Sequence, residues 1–343
     1  MNFASDNAGP AHPKVIEALS RANEGHVASY GADALTEKVT EGIRELFSAP
    51  KAAVSLVATG TAANALALAC LAQPWSAIFC APAAHVHVDE CNAPEFFTGG
   101  AKLIPVGGQD GKIGAASLEA AILAEETRGV HGPQRGPVTL TQATETGTTY
   151  GTSELEAIGN VAQRYGLKLH MDGARISNAL AASNRSPAEM VEKVAALSFG
   201  GTKNGLMGAE AVVLFDEALA WEFELRRKRA GHLFSKHRYL AAQFDAYLEG
   251  DLWRELASRA NAAAARLSAG LVDRGYEMAW PTEANMVFLR APRRIHEAAM
   301  AAGAVYHLWE ESHSGPDAPC TGRLVCDWSK TEAEVDEVLR LFE

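Results

Sequence analysis

The chain has 343 residues, 48% of them hydrophobic and 21% charged, and a formal net charge of -11. This describes a globular protein with a sizeable core, as two domains or as one large α/β domain with an appendage, and the acidic balance argues against nucleic acid or an anionic membrane surface as partner. No apolar run approaches the roughly 20 residues of a membrane span, the first six residues hold neither a basic region nor a signal-type core, and five cysteines without a Cys-x-x-Cys pair read as reduced cytoplasmic thiols, not structural zinc ligands.

Residues 1–13 read as an irregular arm. Lys14–Asn23 and Thr36–Phe47 have helical spacing, and from there strands and helices alternate. Ala52–Val57 is a strand candidate, followed by an alanine-rich helix from Ala62; Ser76–Cys80, Lys102–Val106 and Val138–Leu140 are further strands. Ala84–Glu90 alternates apolar and polar residues, as a strand would. Ser153 to Glu156 has the spacing of a capping box, and Leu155, Ile158, Val161, Ala162 and Tyr165 form the stripe of its helix. Leu167–Met171 and the run before Gly200 are apolar strands. Beyond Tyr239 the chain from Leu240 to about Leu271 is alanine-rich and helical. Ala284–Leu289 and Arg323–Trp328 read as strands, and Thr331–Phe342 as a helix whose capping box runs from Thr331 to Glu334. Near-continuous apolar strands alternating with helices predict a mostly parallel sheet covered on both faces. The expected division is a large domain over 14–240 and a smaller α/β domain over 241–343.

Chemistry concentrates at the ends of these runs. Ala196–Phe199 ends in Gly200-Gly201-Thr202-Lys203, which presents one lysine beside bare backbone. Leu169-His170-Met171 ends in Asp172-Gly173-Ala174-Arg175. A lysine for an imine and a carboxylate for a pyridine nitrogen are the two groups pyridoxal 5'-phosphate (PLP) chemistry most needs. Thr59-Gly60-Thr61 lies between a strand and a helix, where free backbone N–H groups bind phosphate; an ordinary turn has the same appearance. Asp172 also reads as a helix N-cap, and Arg175 as a carboxylate clamp or a surface ion pair. His85 and His87 lack a third ligand at metal spacing, so His85 is assigned to stacking on the cofactor or carrying a proton, and no metal is expected. Arg226–Arg229 reads as a solvated helix face, or as a place from which Lys228 or Arg229 reaches a phosphate across a subunit boundary.

Taken together, the chain resembles the L-threonine aldolase and phenylserine aldolase family, PLP-dependent lyases of fold type I. Asp172-Gly173-Ala174-Arg175 is a specific motif of that family, and Lys203 follows at its spacing. Ser5-Asp6, Tyr30-Gly31, Gly60-Thr61-x-x-Asn64, His85 and Arg323 also match. The resemblance implies the PLP-dependent transferase-like α/β fold, with a large mostly parallel sheet flanked by helices and a small C-terminal domain. It implies cleavage of L-threonine, L-allo-threonine or related L-β-hydroxy-α-amino acids such as phenylserine to glycine and an aldehyde, with β-elimination or transamination as the alternative. Lys203 would hold PLP, Gly60 and Thr61 its phosphate, Asp172 its ring nitrogen, and His85 its ring face. Arg175, Lys228 and Arg229 would also contact the cofactor. Ser5, Tyr30, Arg175 and Arg323 would bind substrate. A homotetramer built from dimers, with sites at subunit interfaces, is implied as well. One departure stands out: many relatives have Glu-Asn-Thr-His where this chain has Thr141-Gln142-Ala143-Thr144. A second histidine is therefore missing, and the base is left among His85, Glu90 and a phosphate-linked water.

Overall fold

The computed structural model describes residues 1–125, 127–309 and 315–343. Seven strands form the larger sheet: β1 (Ala53–Val57), β2 (Ser76–Cys80), β3 (Lys102–Pro105), β4 (Gln134–Thr141), β5 (Leu169–Gly173), β6 (Ala196–Gly200) and β7 (Glu210–Leu214). Their order is β1-β7-β6-β5-β4-β2-β3. β7 alone runs against its neighbours β1 and β6; the other pairings are parallel. Every residue of β2, β5, β6 and β7 is buried, the pattern of strands covered on both faces. In such a sheet the carboxyl ends of the parallel strands are where ligand sites form.

Local chemistry sets the element ends. The helix Gly60–Leu71 starts where Thr59 accepts the Ala62 N–H, the service an N-cap side chain performs. Ala84–Glu90 is not a strand: His85–Val88 forms a single helical turn, closed by the Asp89 N–H on the His85 carbonyl. The alternation of apolar and polar residues there reflects one turn with Val86 buried and His87 exposed. The helix Thr152–Arg164 is also capped two residues earlier than its serine suggests. Glu154 Oε2 accepts the Gly151 N–H at 2.7 Å. Thr331 and Glu334 form their capping box as expected.

The helical stretch after Tyr239 is two helices, Arg238–Leu248 and Leu252–Asp273. The first packs on helices Pro13–Ala22 and Ala34–Leu46 within the large core, so the expected division at 240/241 falls inside it. The second reaches from the large core at Trp253 to the small core at Ala263, Leu267 and Leu271. A four-stranded antiparallel sheet completes the small core: β8 (Glu277–Met278), β9 (Met286–Pro292), β10 (His307–Leu308) and β11 (Pro319–Val325), in the order β10-β11-β9-β8. The N-terminal arm is stitched to this sheet. Phe3 N–H donates to the Val305 carbonyl at 2.7 Å, and its carbonyl accepts the Val325 N–H at 2.8 Å. The Phe3 ring is fully buried, which contributes on the order of 2 kcal/mol.

Candidate active site

Two strand ends and one helix start converge at the carboxyl edge of the larger sheet. β5 delivers Asp172, β6 delivers Lys203 on the turn after Gly200, and the helix after β1 delivers Gly60 and Thr61. Glycines make this convergence possible. A Cβ on Gly200 would lie 2.6 Å from the Ala174 carbonyl oxygen, and one on Gly173 2.6 Å from that of Ser198. Backbone on both sides leaves no room to retreat, so the turns carrying Asp172 and Lys203 approach only without side chains. The pocket at this junction has a volume of ≈ 250 Å³, and Gly60, Thr61, His85, Ala174, Thr202 and Lys203 are among its lining residues.

Lys203 makes no hydrogen bond or ion pair among the described residues. Burial, followed by repulsion from Arg175, lowers its pKa; Asp6, Asp172 and Glu210 oppose the shift. An amine so held is a stronger nucleophile at neutral pH than a solvated lysine. The first hydrogen bonds of the helix Gly60–Leu71 are those of the Ala62 and Ala63 N–H groups to Thr59. The Gly60 and Thr61 amides stand ahead of them, the arrangement that receives an anion.

Asp172 is buried and doubly held. Its Oδ1 accepts the Ala174 N–H at 3.0 Å, and its Oδ2 accepts the Asn64 amide at 2.9 Å. The same Asn64 nitrogen donates to Glu90 Oε1 at 2.9 Å, and that oxygen lies 2.8 Å from His85 Nδ1. A continuous chain thus links Asp172 to the imidazole. The Glu90 hydrogen bond raises the His85 pKa against the effect of burial, with help from the Asp172 charge. His85 Nδ1 is committed to Glu90, and exposed His87 shares no such partner.

Arg175 is gripped by Asp6 through two parallel bonds, Nε to Oδ2 at 2.7 Å and Nη2 to Oδ1 at 2.9 Å. Asn285 adds a third bond to Asp6 at 3.0 Å. Burial works to raise the Asp6 pKa, but the Arg175 and Lys203 charges outweigh it and hold the carboxyl below its usual range. Arg323, on β11, donates weakly to the Ala4 carbonyl at 3.4 Å, stands 5.6 Å from the centre of the Trp309 ring, and keeps a buried Nε without a partner among the described residues. Ser5 Oγ caps the short turn that follows it, accepting the Asn7 N–H.

Tyr30, Lys228 and Arg229 do not line this pocket. Tyr30 is exposed in a left-handed conformation (φ 60°), with Lys228 Nζ 5.1 Å from its ring centre. The basic run is partly internal: Arg226 pairs with Glu222 and Arg227 with Glu224, each at 2.6 Å.

With the geometry in hand, the chain's relatives can be compared. The beta-eliminating lyase family matches residues 2–292. The chain belongs to this family. Within it, the chain is 40% identical to a low specificity L-threonine aldolase of a Pseudomonas species, over 98% of this chain and 95% of the relative. A low specificity L-threonine aldolase of Saccharomyces cerevisiae is 26% identical over 90% and 79% of the respective lengths. The solved threonine aldolase of Leishmania major superposes with a TM-score of 0.93 at 29% identity, covering 99% of this chain and 98% of that one. A serine palmitoyltransferase of Sphingomonas wittichii shares the fold at 14% identity, with a TM-score of 0.70 over 100% and 86%.

The candidate site also contains groups that sequence reading gave no role. Asn64 bridges two carboxylates. Glu210, first residue of the otherwise apolar β7, accepts the Gly201 N–H at 3.0 Å and the Thr202 hydroxyl at 2.5 Å. Burial pushes its carboxyl up to about 7. A lone carboxylate opening an apolar strand was the readable signal. Glu145, four residues past β4, accepts the His85 N–H and the Thr141 hydroxyl, each at 2.8 Å, and burial with the Asp172 charge raises it to about 7. A buried lysine without a partner among the described residues, a buried carboxylate beyond it and amides at a helix start fit pyridoxal phosphate in amine, ring nitrogen and phosphate alike.

Proposed function

We propose that this chain is a pyridoxal phosphate-dependent carbon–carbon lyase that cleaves L-threonine, L-allo-threonine or related L-β-hydroxy-α-amino acids such as phenylserine to glycine and an aldehyde. The observation that carries the reading is Lys203, a buried amine without a partner among the described residues, in one pocket with a helix start and beside Asp172. The 40% identity to a low specificity L-threonine aldolase over nearly the whole chain supports the reaction type, and the fold is shared with SPT solved with PLP.

When bound, pyridoxal phosphate supplies the aldehyde that condenses with an amine and a ring that takes up the electron pair left on the substrate α-carbon. Lys203 holds the cofactor, Gly60 and Thr61 bind its phosphate, Asp172 keeps a proton on the ring nitrogen, and His85 covers the ring face. Arg323, with its free Nε, is the chief anchor for the substrate carboxylate. Arg175 assists with its one nitrogen not engaged by Asp6, and Ser5 with its hydroxyl. Fixing the carboxylate fixes rotation about the Cα–N bond, and with it which bond breaks; such orientation supplies a large share of the acceleration. Tyr30, Lys228 and Arg229 lie outside the pocket of their own chain and serve a neighbouring subunit in a homotetramer of two dimers. No described helix is long and apolar enough to cross a membrane, and we place the enzyme in the cytoplasm.

β-Elimination is the second reading, favoured by the family's own description. Incubation with L-threonine, L-allo-threonine and phenylserine separates the two: glycine with the matching aldehyde supports the aldolase, while ammonia and a keto acid overturn it. Lys203→Ala should abolish both the bound-cofactor absorbance and turnover, and an unaltered spectrum in that variant removes Lys203 from its role.

A further inference from the structure

The missing histidine leaves the base that takes the β-hydroxyl proton without an owner, and the structure offers a carboxylate. We propose that Glu145 is a further catalytic residue, and that its Oε2 accepts the β-hydroxyl proton as the Cα–Cβ bond breaks. This rests on the aldolase reading above.

Geometry carries the argument. Glu145 follows β4, the neighbour of β5, and so stands at the same sheet edge as Asp172. Its Oε1 is fixed by two donors from different segments, the His85 backbone and the Thr141 hydroxyl, at 2.8 Å each. The carboxylate plane is therefore set, while Oε2 is buried and without a partner among the described residues. Leaving a carboxylate oxygen buried and unserved costs a protein about 1–3 kcal/mol or more, so the arrangement makes physical sense where a ligand brings the donor. The neighbouring Thr144, Thr146 and Thr148 hydroxyls bond among themselves and to the Asp110 carbonyl, and none serves Glu145.

The other carboxylates at the site are engaged or enclosed. Asp172 holds Ala174 and Asn64, and belongs with the ring nitrogen. Glu90 Oε2 is likewise without a partner among the described residues, but its side chain is fully buried behind His85 and Asn64. Glu210 holds the lysine turn. Asp6 is locked to Arg175. His85 has its Nδ1 engaged and its imidazole assigned to the ring face. Glu145 has no ion-pair partner among the described residues, and the nearby Arg175 is already neutralised by Asp6.

In the step, the O–H proton passes to Glu145 Oε2 and the O–H electron pair becomes the second C–O bond of the aldehyde. The Cα–Cβ pair stays with Cα, which then takes a proton to give glycine, and Glu145 returns its own proton to solvent. Burial and then the Asp172 charge on β5 raise Glu145's titration, the His85 amide and the Thr141 hydroxyl lower it, and Arg175 just after β5, Cys80 at the end of β2 and Tyr150 feel its charge in turn. Its pKa of about 7 suits a base working near neutrality. Pairing of Asp172 with a protonated ring nitrogen removes the repulsion and lowers that value in the loaded enzyme.

The test compares two reactions of the holoenzyme. Retro-aldol cleavage needs a base at the hydroxyl, whereas exchange of the glycine α-proton in D2O does not. In Glu145→Gln, where one oxygen still accepts from His85 and Thr141, cleavage should fall by at least ~100-fold relative to exchange, the usual scale of a general base. Infrared titration of the cofactor-free protein should show a carboxyl band titrating near 7 that the variant lacks. Equal loss of both reactions, or cleavage retained, overturns the proposal. The wild-type protein gives an answer even where the variant does not fold: cleavage should lose activity on an acid limb that glycine exchange does not share, and a common limb counts against Glu145. Absence of any aldehyde from the wild type would instead sink the aldolase reading itself.

Discussion

Glu210→Gln tests whether a buried carboxyl beneath the lysine turn is held at a cost. Glutamine keeps the shape of the side chain: its oxygen still accepts the Gly201 N–H, and its amide can meet the Thr202 hydroxyl. What it removes is the ionisation. The folded protein holds the Glu210 proton up to about 7, against an ordinary value of 4.5. The folded state therefore binds more protons than the unfolded chain across that interval, and wild-type stability falls as pH rises from 4.5 to 7, then levels off. At ~1.4 kcal/mol per pH unit the loss approaches about 3 kcal/mol, of which about 2.5 kcal/mol falls between pH 5 and pH 8. The variant has no such slope. Urea unfolding of the cofactor-free proteins should show the variant gaining about 2.5 kcal/mol on the wild type between pH 5 and pH 8, or on the order of 5 °C in Tm. A difference that stays constant across this range, or that moves against the variant at high pH, refutes the reasoning.

Three further outcomes are expected. Asp6→Asn leaves Arg175 buried with its partner's charge gone and should cost about 3–5 kcal/mol at pH 7; because the Asp6 pKa is depressed, the gap should narrow below pH 3.8, as urea unfolding would record. Glu90→Gln removes the chief influence raising His85, so the His85 titration followed by NMR should move to lower pH, and the stability difference from wild type should be greatest below pH 6.5. Gly200→Ala puts a methyl 2.6 Å from the Ala174 carbonyl oxygen and should cost roughly 1–3 kcal/mol together with a weaker hold on cofactor, measured by absorbance titration.

How much was legible depended on the reach of each interaction. Lys203 and Asp172 were readable because each ends an apolar run in small residues, and the sheet then sets those ends side by side. The strand at Ser76–Cys80 was readable from its composition alone, and it forms as expected. The helical turn at His85–Val88 was not, since four residues are too few to separate a period of 2.0 from one of 3.6. Asp6 and Arg175 lie 169 positions apart, and no local pattern announces such a pair. Glu145 follows a strand among four threonines, where it looks like any loop residue. Only the fold reveals that Thr146 and Thr148 turn to Asp110 while the carboxylate accepts from Thr141 and the His85 amide.

The arm that leads into Asp6 is woven into the small sheet at Phe3, yet its carboxylate clasps a guanidinium rooted in the large one. It works as a tie rod between the two lobes. An ångström of slip between them would be delivered straight to Arg175, and hence to the carboxylate we propose it shares with Arg323. On that proposal substrate grip and lobe alignment become one mechanical variable, and a change as remote as Phe3→Ala should be felt first as a looser hold on the amino acid.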